Sequence, residues 1–248
     1  MSTVIVTGAA SGMGRGAVEH LAAKGVDVLA VDRDADRLEQ LRSEVAGNVV
    51  PVVADVTRED DVRAYADAAR EAFGAVDGFF NQAGITGARQ PIVELPLDAW
   101  RQTVAVNLDA VFLGLKHVIP LLRRPGGAVV TTSSISAYRA EVERADYVAT
   151  KAAVIGLTQT AAAEHGPEGL RFNCIVPGPI DTPMMAEHER WVDASATQEV
   201  RARIEGMNAL RRYGTTTEIA ELVAFLLLGP STYITAAAIP VDGGYLAI

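Results

Sequence analysis

Short apolar runs alternate with longer stretches of helical spacing along the whole chain. Val4–Val6, Val26–Val31, Val49–Val53, Val76–Phe80, Gly127–Thr132, Arg171–Val176 and Ala238–Val241 read as strands. Gly12 to about Ala23, Asp34–Val45, Arg58–Phe73, about Leu97–Leu122, about Ala145–His165 and about Thr217–Leu228 read as helices. The strand runs are apolar throughout rather than alternating, which marks strands covered on both faces. The pattern predicts an α/β fold, a doubly wound parallel sheet with helices on both sides. No repeat or linker divides residues 1–248, so one domain is expected. The long insertion at about Thr182–Tyr213 is rich in Met, charge and helix formers, and is expected to be a substrate lid.

Composition narrows the classes. Of 248 residues, 49% are hydrophobic and 21% charged, which fits a globular chain. The 22 basic and 31 acidic residues leave a net charge of −9, which argues against nucleic-acid binding. A single cysteine, Cys174, cannot form an internal disulfide and reads as a buried core thiol. His20, His117, His165 and His188 lack metal-ligand spacing, so they read as structural or surface residues and no metal is expected. No stretch approaches eighteen uninterrupted apolar residues, and the first residues lack the basic start of a signal peptide. These features together predict a cytoplasmic protein without a membrane span.

Candidate chemistry begins after the first strand, at Thr7-Gly8-Ala9-Ala10-Ser11-Gly12-Met13-Gly14. Glycines there permit a tight turn and close approach to a pyrophosphate, and the following helix offers free N–H groups and a positive dipole end. An acid, Asp32, closes the second strand, where a carboxylate can accept bonds from ribose hydroxyls and would repel a 2′-phosphate. That favours NAD. Arg33 beside it keeps NADP open, since an arginine can pair with a 2′-phosphate. Asp55-Val56 ends the third strand; Asp55 could reach an adenine amino group or cap the next helix, a part Thr57 could also play.

Tyr147 and Lys151 stand four residues apart on a predicted helix, hence on one face. A nearby cation favours phenolate, which makes the pair a candidate acid/base. Ser134 follows the fifth strand. Gly8, Asp32, Asp55, Asn81 and Ser134 all fall at or just beyond strand C-termini, which line the ligand crevice of a parallel sheet.

From residue 3 to 248 the chain resembles the short-chain dehydrogenase/reductase family, which has a Rossmann-like fold. The markers occur in order: Thr7-Gly8-x-x-x-Gly12-x-Gly14, Asp55-Val56, Asn81-Gln82-Ala83-Gly84, Asn107, Ser134, Tyr147-x-x-x-Lys151, Pro177-Gly178-Pro179-Ile180-Asp181-Thr182 and Val241-Asp242-Gly243-Gly244. The resemblance implies hydride exchange between a nicotinamide cofactor and a secondary alcohol or ketone. It implies that Tyr147 exchanges the substrate proton, Lys151 lowers its pKa and holds the ribose, and Ser134 binds the substrate oxygen. Asn107 would hold a water linking Lys151 to solvent. Pro177, Gly178, Ile180 and Thr182 would fix the carboxamide. Gln82 departs from the family's usual Asn-Asn-Ala-Gly, and Ser133 and Ser136 flank Ser134, so the choice of serine rests on spacing.

Met184, Met185, Trp191 and Met207 either line an apolar substrate pocket or pack within the lid's own helices. Arg89 and Gln90 could approach the substrate. The charged segment Tyr138–Arg144 either enters the site or is solvated. A medium-sized apolar or cyclic alcohol is the expected substrate. Apolar surface on the helices near 97–122 and 145–165 and on Tyr245–Ile248, with the resemblance, implies a homodimer or homotetramer.

Overall fold

The structure is a computed structural model and describes residues 2–248. Seven strands, β1 (Thr3–Thr7), β2 (Asp27–Asp32), β3 (Val49–Val53), β4 (Gly78–Asn81), β5 (Ala128–Thr132), β6 (Arg171–Pro177) and β7 (Ala238–Val241), form one sheet in the order 3-2-1-4-5-6-7. Every neighbouring pair is parallel. The strand order reverses between β1 and β4, so a crevice opens at their C-terminal ends. β4 starts later than its apolar run, because Asp77 bonds the Thr3 amide at 2.8 Å and Val76 only bridges to Leu122.

The helices follow in chain order: α1 (Gly12–Ala23), α2 (Ala35–Glu44), α3 (Glu59–Phe73), α4 (Leu97–Val104), α5 (Ala110–Val118), α6 (Ala145–His165), α7 (Pro183–Val192), α8 (Thr197–Glu205) and α9 (Thr216–Leu228). α1, α2 and α9 cover one sheet face through Val18, Leu21, Leu38, Leu41, Ile219 and Val223. α3, α5 and α6 cover the other through Val62, Tyr65, Leu115, Val118 and Val154. Each such side chain contributes roughly 1.5–3 kcal/mol on burial, so the sheet is the rigid member that carries the crevice.

A π turn, Ala105–Asp109, joins α4 to α5 and centres on the buried Asn107. The helical run Leu97–Leu121 has mean hydropathy 1.5, enough by length and composition to cross a bilayer. Thr103 and Asn107 on it are buried against the protein, while Leu97 and Phe112 face outward.

The 182–213 insertion is two helices, α7 and α8, closed at the base where Ile180 bridges Gly214. Arg201 on α8 donates to both oxygens of Asp181, at 3.2 and 3.0 Å, and to Glu205 at 3.2 Å. Val200, Ile204 and Tyr213 make a small separate core with Met185 and Val192. The terminal Gly243 and Gly244 adopt φ of +62° and +83° against Asn208 and Ala209, where a Cβ would come within 2.9 Å. That contact ties the turn after β7 to the base of the insertion.

Candidate active site

The glycine loop is built by close packing. A Cβ on Gly14 would lie 2.0 Å from the Gly8 carbonyl oxygen, and one on Gly8 would lie 3.0 Å from Ala83 Cα. Gly8 and Gly12 have φ of +67° and +53°. The Ser11 side chain makes no cap bond, so the first-turn amides around Met13 are left for another acceptor. Thr7 Oγ1 accepts from the amides of Gln82 and Ala83 at 3.0 and 3.2 Å, which locks β1 to the end of β4. Asn81 donates to the Val111 carbonyl at 3.0 Å.

Asp32 lies at the tip of β2. One carboxylate oxygen accepts from the Ala10 amide at 3.0 Å and the other from Asp34 at 3.1 Å. The carboxylate is therefore held against the loop rather than swinging in solvent. Asp55 accepts from the Thr57 amide and hydroxyl at 2.9 and 2.7 Å, which hold it below its ordinary pKa with help from Arg33 and Arg58. Neither Asp55 nor Thr57 caps α3, which starts at Glu59; Val56 continues the same turn. A free helix N-terminus, left-handed glycines and a fixed acid at the adjoining strand tip fit a dinucleotide.

Ser134, Tyr147 and Lys151 meet in a cleft of 480 Å³ beside Met13, Gly84, Pro177, Gly178, Ile180 and Thr182. β5 delivers Ser134, and α6 presents Tyr147 and Lys151 one turn apart. Ser133 donates to the Lys151 carbonyl at 2.7 Å, so its hydroxyl is committed to α6. Ser134 instead bonds Ser136 at 3.1 Å and stands by Tyr147. Lys151, 5% exposed, donates from Nζ to the Thr132 carbonyl at 3.0 Å, and Thr132 donates to Gln82 Oε1 at 2.5 Å. The Asn→Gln departure at 82 therefore spans from β4 to β5. Burial lowers the Lys151 pKa to about 8. Burial raises that of Tyr147, against the pull of Arg144 and Ser134. Lys151 Nζ is 5.7 Å from the Tyr147 ring centre, whereas the Arg144 guanidinium lies 4.2 Å from it, so Arg144 is the closer cation.

The Asn107 side chain pairs with Ile85, accepting from its amide at 2.8 Å and donating to its carbonyl at 2.9 Å. Gly84 fits between Asn107 and Lys151, with an added Cβ 3.3 and 3.4 Å from the two side chains. Thr182 caps α7, its hydroxyl accepting from Met185 N at 3.3 Å.

Both open readings on the substrate side resolve by residue. Met184, Met185 and Met207 line the cleft, and Met185 also packs in the lid core. Trp191 stays outside, stacked on His188. Within the charged segment, Arg144 is buried while Tyr138 and Val142 are exposed. Arg89 lines the cleft and Gln90 is exposed. Two residues correct or extend the sequence reading. His188 is a cleft residue, its Nδ1 accepting from Arg89 Nη1 at 2.8 Å, and burial with Arg89 and Arg144 lowers its pKa to about 4. Asp146 is fully buried and accepts from Ala88 N at 2.9 Å, Thr103 Oγ1 at 2.7 Å and Tyr147 N at 2.8 Å. It clamps the loop after β4 to α6. Its partners lie 43 and 58 residues away, so no local pattern announces it. Among the described residues, no cluster of His, Cys, Asp and Glu could hold a metal. Cys174 is buried and unpaired, as expected.

Comparison with known proteins agrees with this geometry. A family model described as enoyl-(acyl carrier protein) reductase matches residues 8–246. Levodione reductase of Leifsonia aquatica is 38% identical over 250 residues, covering 98% of this chain and 94% of the relative. A 2,5-dichloro-2,5-cyclohexadiene-1,4-diol dehydrogenase of Sphingobium indicum is 34% identical, covering 99% and 97%. The crystal structure of levodione reductase superimposes with a TM-score of 0.96 at 37% identity, covering 100% of this chain and 98% of that one. A seven-stranded parallel sheet, a glycine loop at its switch point and a Ser–Tyr–Lys cleft, with these relatives, identify the chain as a member of the short-chain dehydrogenase/reductase family, an oxidoreductase of CH–OH groups that works with a nicotinamide cofactor.

Proposed function

We propose that this protein interconverts a cyclic secondary alcohol and its ketone with NAD(H), and that Ser134, Tyr147 and Lys151 carry the proton chemistry. The observation that bears most weight is the meeting of these three side chains with Gly178, Ile180 and Thr182 in one cleft. A ring substrate is supported by the cyclohexadiene-diol dehydrogenase relative. NAD is supported by Asp32, a carboxylate held at the tip of β2 by two backbone amides. Arg33 is exposed beside it, so NADP remains the competing cofactor that the titration below distinguishes.

Bound nicotinamide supplies the hydride transfer. Around it, Gly8, Gly12 and Gly14 let the backbone approach the diphosphate, and Ser11 and Met13 lie at the amide end of α1. Ala83 and Gly84 would border the nicotinamide of a bound cofactor. The Ser134 hydroxyl donates to the substrate oxygen and orients it. Tyr147 gives its proton to a ketone oxygen or takes one from an alcohol. Because burial raises the Tyr147 pKa, the phenol holds its proton at neutral pH and can supply it to a ketone oxygen. Alcohol oxidation needs the phenolate, so its rate is expected to rise with pH. Lys151 holds the Thr132 carbonyl and keeps a positive charge below about pH 8. Asn107 positions Ile85 and thereby Gly84 beside Lys151.

Titration with NADH and NADPH, followed by nicotinamide fluorescence, tests the cofactor choice. Asp32→Ala is expected to weaken NADH binding about 10–100-fold, the worth of a charge-assisted bond. Tighter NADPH than NADH binding by the unmodified protein would overturn the NAD reading. Absence of turnover across cyclohexanols and cyclohexanones would overturn the substrate class. Leu97 and Phe112 expose apolar surface on one long helix, which supports a homodimer or homotetramer; light scattering reads this directly.

A further inference from the structure

The cleft is positive in a chain of net charge −9. Arg89, Arg139, Arg144 and Arg203 line it, with Lys151, against one acid, Glu141. Arg144 is 8% exposed, and its Nε is buried without a hydrogen-bond partner. Glu141 Oε2 is 3.9 Å from that Nε, too far to bond it, and the other Glu141 oxygen accepts from the Ser136 hydroxyl. Arg89 repeats the arrangement. Its guanidinium lies 4.4 Å over Trp191, Nη1 donates to His188, and Nη2 is buried without a partner.

Arginine keeps its charge at all working pH values, so burial cannot be relieved by losing a proton. A buried cation with an unmet N–H is costly unless an anion completes it. Arg144 is such a cation, and half-buried Arg89 adds a second buried N–H without a partner in the same cavity. Burial and then Arg144 lower the Arg89 pKa, and burial with both arginines lowers that of His188. The neutral ring of His188 accepts from Arg89 and adds no compensating charge. The backbone also turns sharply to deliver Arg144, since Glu143 before it has a left-handed φ of +63°. Planar guanidinium forks match a carboxylate, and two of them beside Tyr147 would bind it at a set distance from the reacting oxygen.

We propose that the substrate is a hydroxy acid or keto acid, a cyclic alcohol or ketone whose carboxylate is held by Arg89 and Arg144. This deepens the proposed function and rests on it. Arg144, stacked on the catalytic tyrosine, takes the carboxylate nearest the reacting carbon. Arg89, fixed by Trp191 and His188, takes it from the lid side. The apolar Met184 and Met207 face the ring.

The test compares 4-hydroxycyclohexanecarboxylate, as both isomers, with the neutral amide of each. One isomer of the acid is expected to exceed its amide in kcat/KM by about tenfold or more, the worth of one charge-assisted pair. Arg144→Met and Arg89→Met are expected to lose more on the acid than on the amide, which collapses that ratio, and Arg144→Lys to restore part of it. Equal rates for acid and amide, or equal losses on both in the Met variants, would overturn the proposal. Binding separates this result from the proposed function. Cyclohexanecarboxylate should raise the melting temperature and perturb Trp191 fluorescence where cyclohexanecarboxamide does not, and Arg89→Met should abolish the difference. Carboxylate-selective binding without alcohol turnover would support the anion site while the proposed function falls. Turnover of neutral alcohols without carboxylate preference would do the reverse.

Discussion

The loop after β1 and the insertion after β6 both rise from strand ends of one sheet, but they are made differently. The β1 loop does its work with backbone. Its glycines pack so tightly that Gly14 has no room for one more carbon, and its acid is held by two main-chain amides. The lid side works with long side chains: Met184, Met207, Arg89, Arg144 and His188 reach into the cleft from four separate segments. Backbone geometry presents the same donors to any diphosphate, whereas side chains set size and charge for one substrate. On the proposed function, one half of the molecule serves a shared cofactor and the other half makes a specific choice.

The largest effect is expected where the two halves meet. Tyr147→Phe should lower kcat about 10²–10⁴-fold, the range for a lost general acid, with NADH affinity little changed. Substantial turnover in this variant, measured by nicotinamide absorbance, would remove Tyr147 from the chemistry. On the cofactor side, Gly14→Ala drives a methyl into the Gly8 carbonyl. It should cost about 1–3 kcal/mol of stability or more and weaken NADH binding correspondingly, read by urea unfolding and fluorescence titration. A variant as stable and as tight as the parent would break the contrast.

Lys151 separates function from stability. Its folded pKa of about 8 lies below the ordinary 10.5, so between those values the unfolded chain holds a proton that the folded protein has released. Stability therefore rises with pH across that window, and below it the full burial cost of about 3 kcal/mol is present. Lys151→Met should abolish activity yet stabilise the protein at pH 7 by up to about 3 kcal/mol, less the lost bond to Thr132. The gain should shrink as pH rises from 8 toward 10.5; a gain independent of pH would show that the buried charge is not its source. The smallest effect is expected for Met184→Ala on the lid. This side chain is 38% exposed, so truncation should cost under about 1 kcal/mol of stability and change KM for ring substrates a few-fold. A large loss of cofactor binding in that variant would mean the lid is part of the cofactor half as well.

The strand and helix order, the glycine loop, the acid at the tip of β2 and the Tyr147–Lys151 pair were all legible in the chain. Each is a local pattern: a run of apolar residues, a turn that tolerates only glycine, or two residues one helical turn apart. The same holds for Ser134, which spacing alone separates from Ser133 and Ser136. Other features were out of reach of local reading. Asp146 clamps Ala88 and Thr103 across long stretches of chain, Asn107 is aimed inward by a π turn onto Ile85, and His188 belongs to the cleft rather than the surface.

The charged segment near 138–144 marks the boundary most clearly. Its composition said only that charge lay near the substrate. That Arg144 is buried over Tyr147 and that Arg89 joins it, while Val142 and Tyr138 face solvent, depended on how three loops pack together. The sequence by itself determined the fold and the cofactor half, because periodicity and glycine geometry act between neighbours. Only the tertiary structure decided the charge and contour of the substrate half, because those arise from side chains far apart in sequence meeting in a cavity where burial makes each unpartnered N–H count.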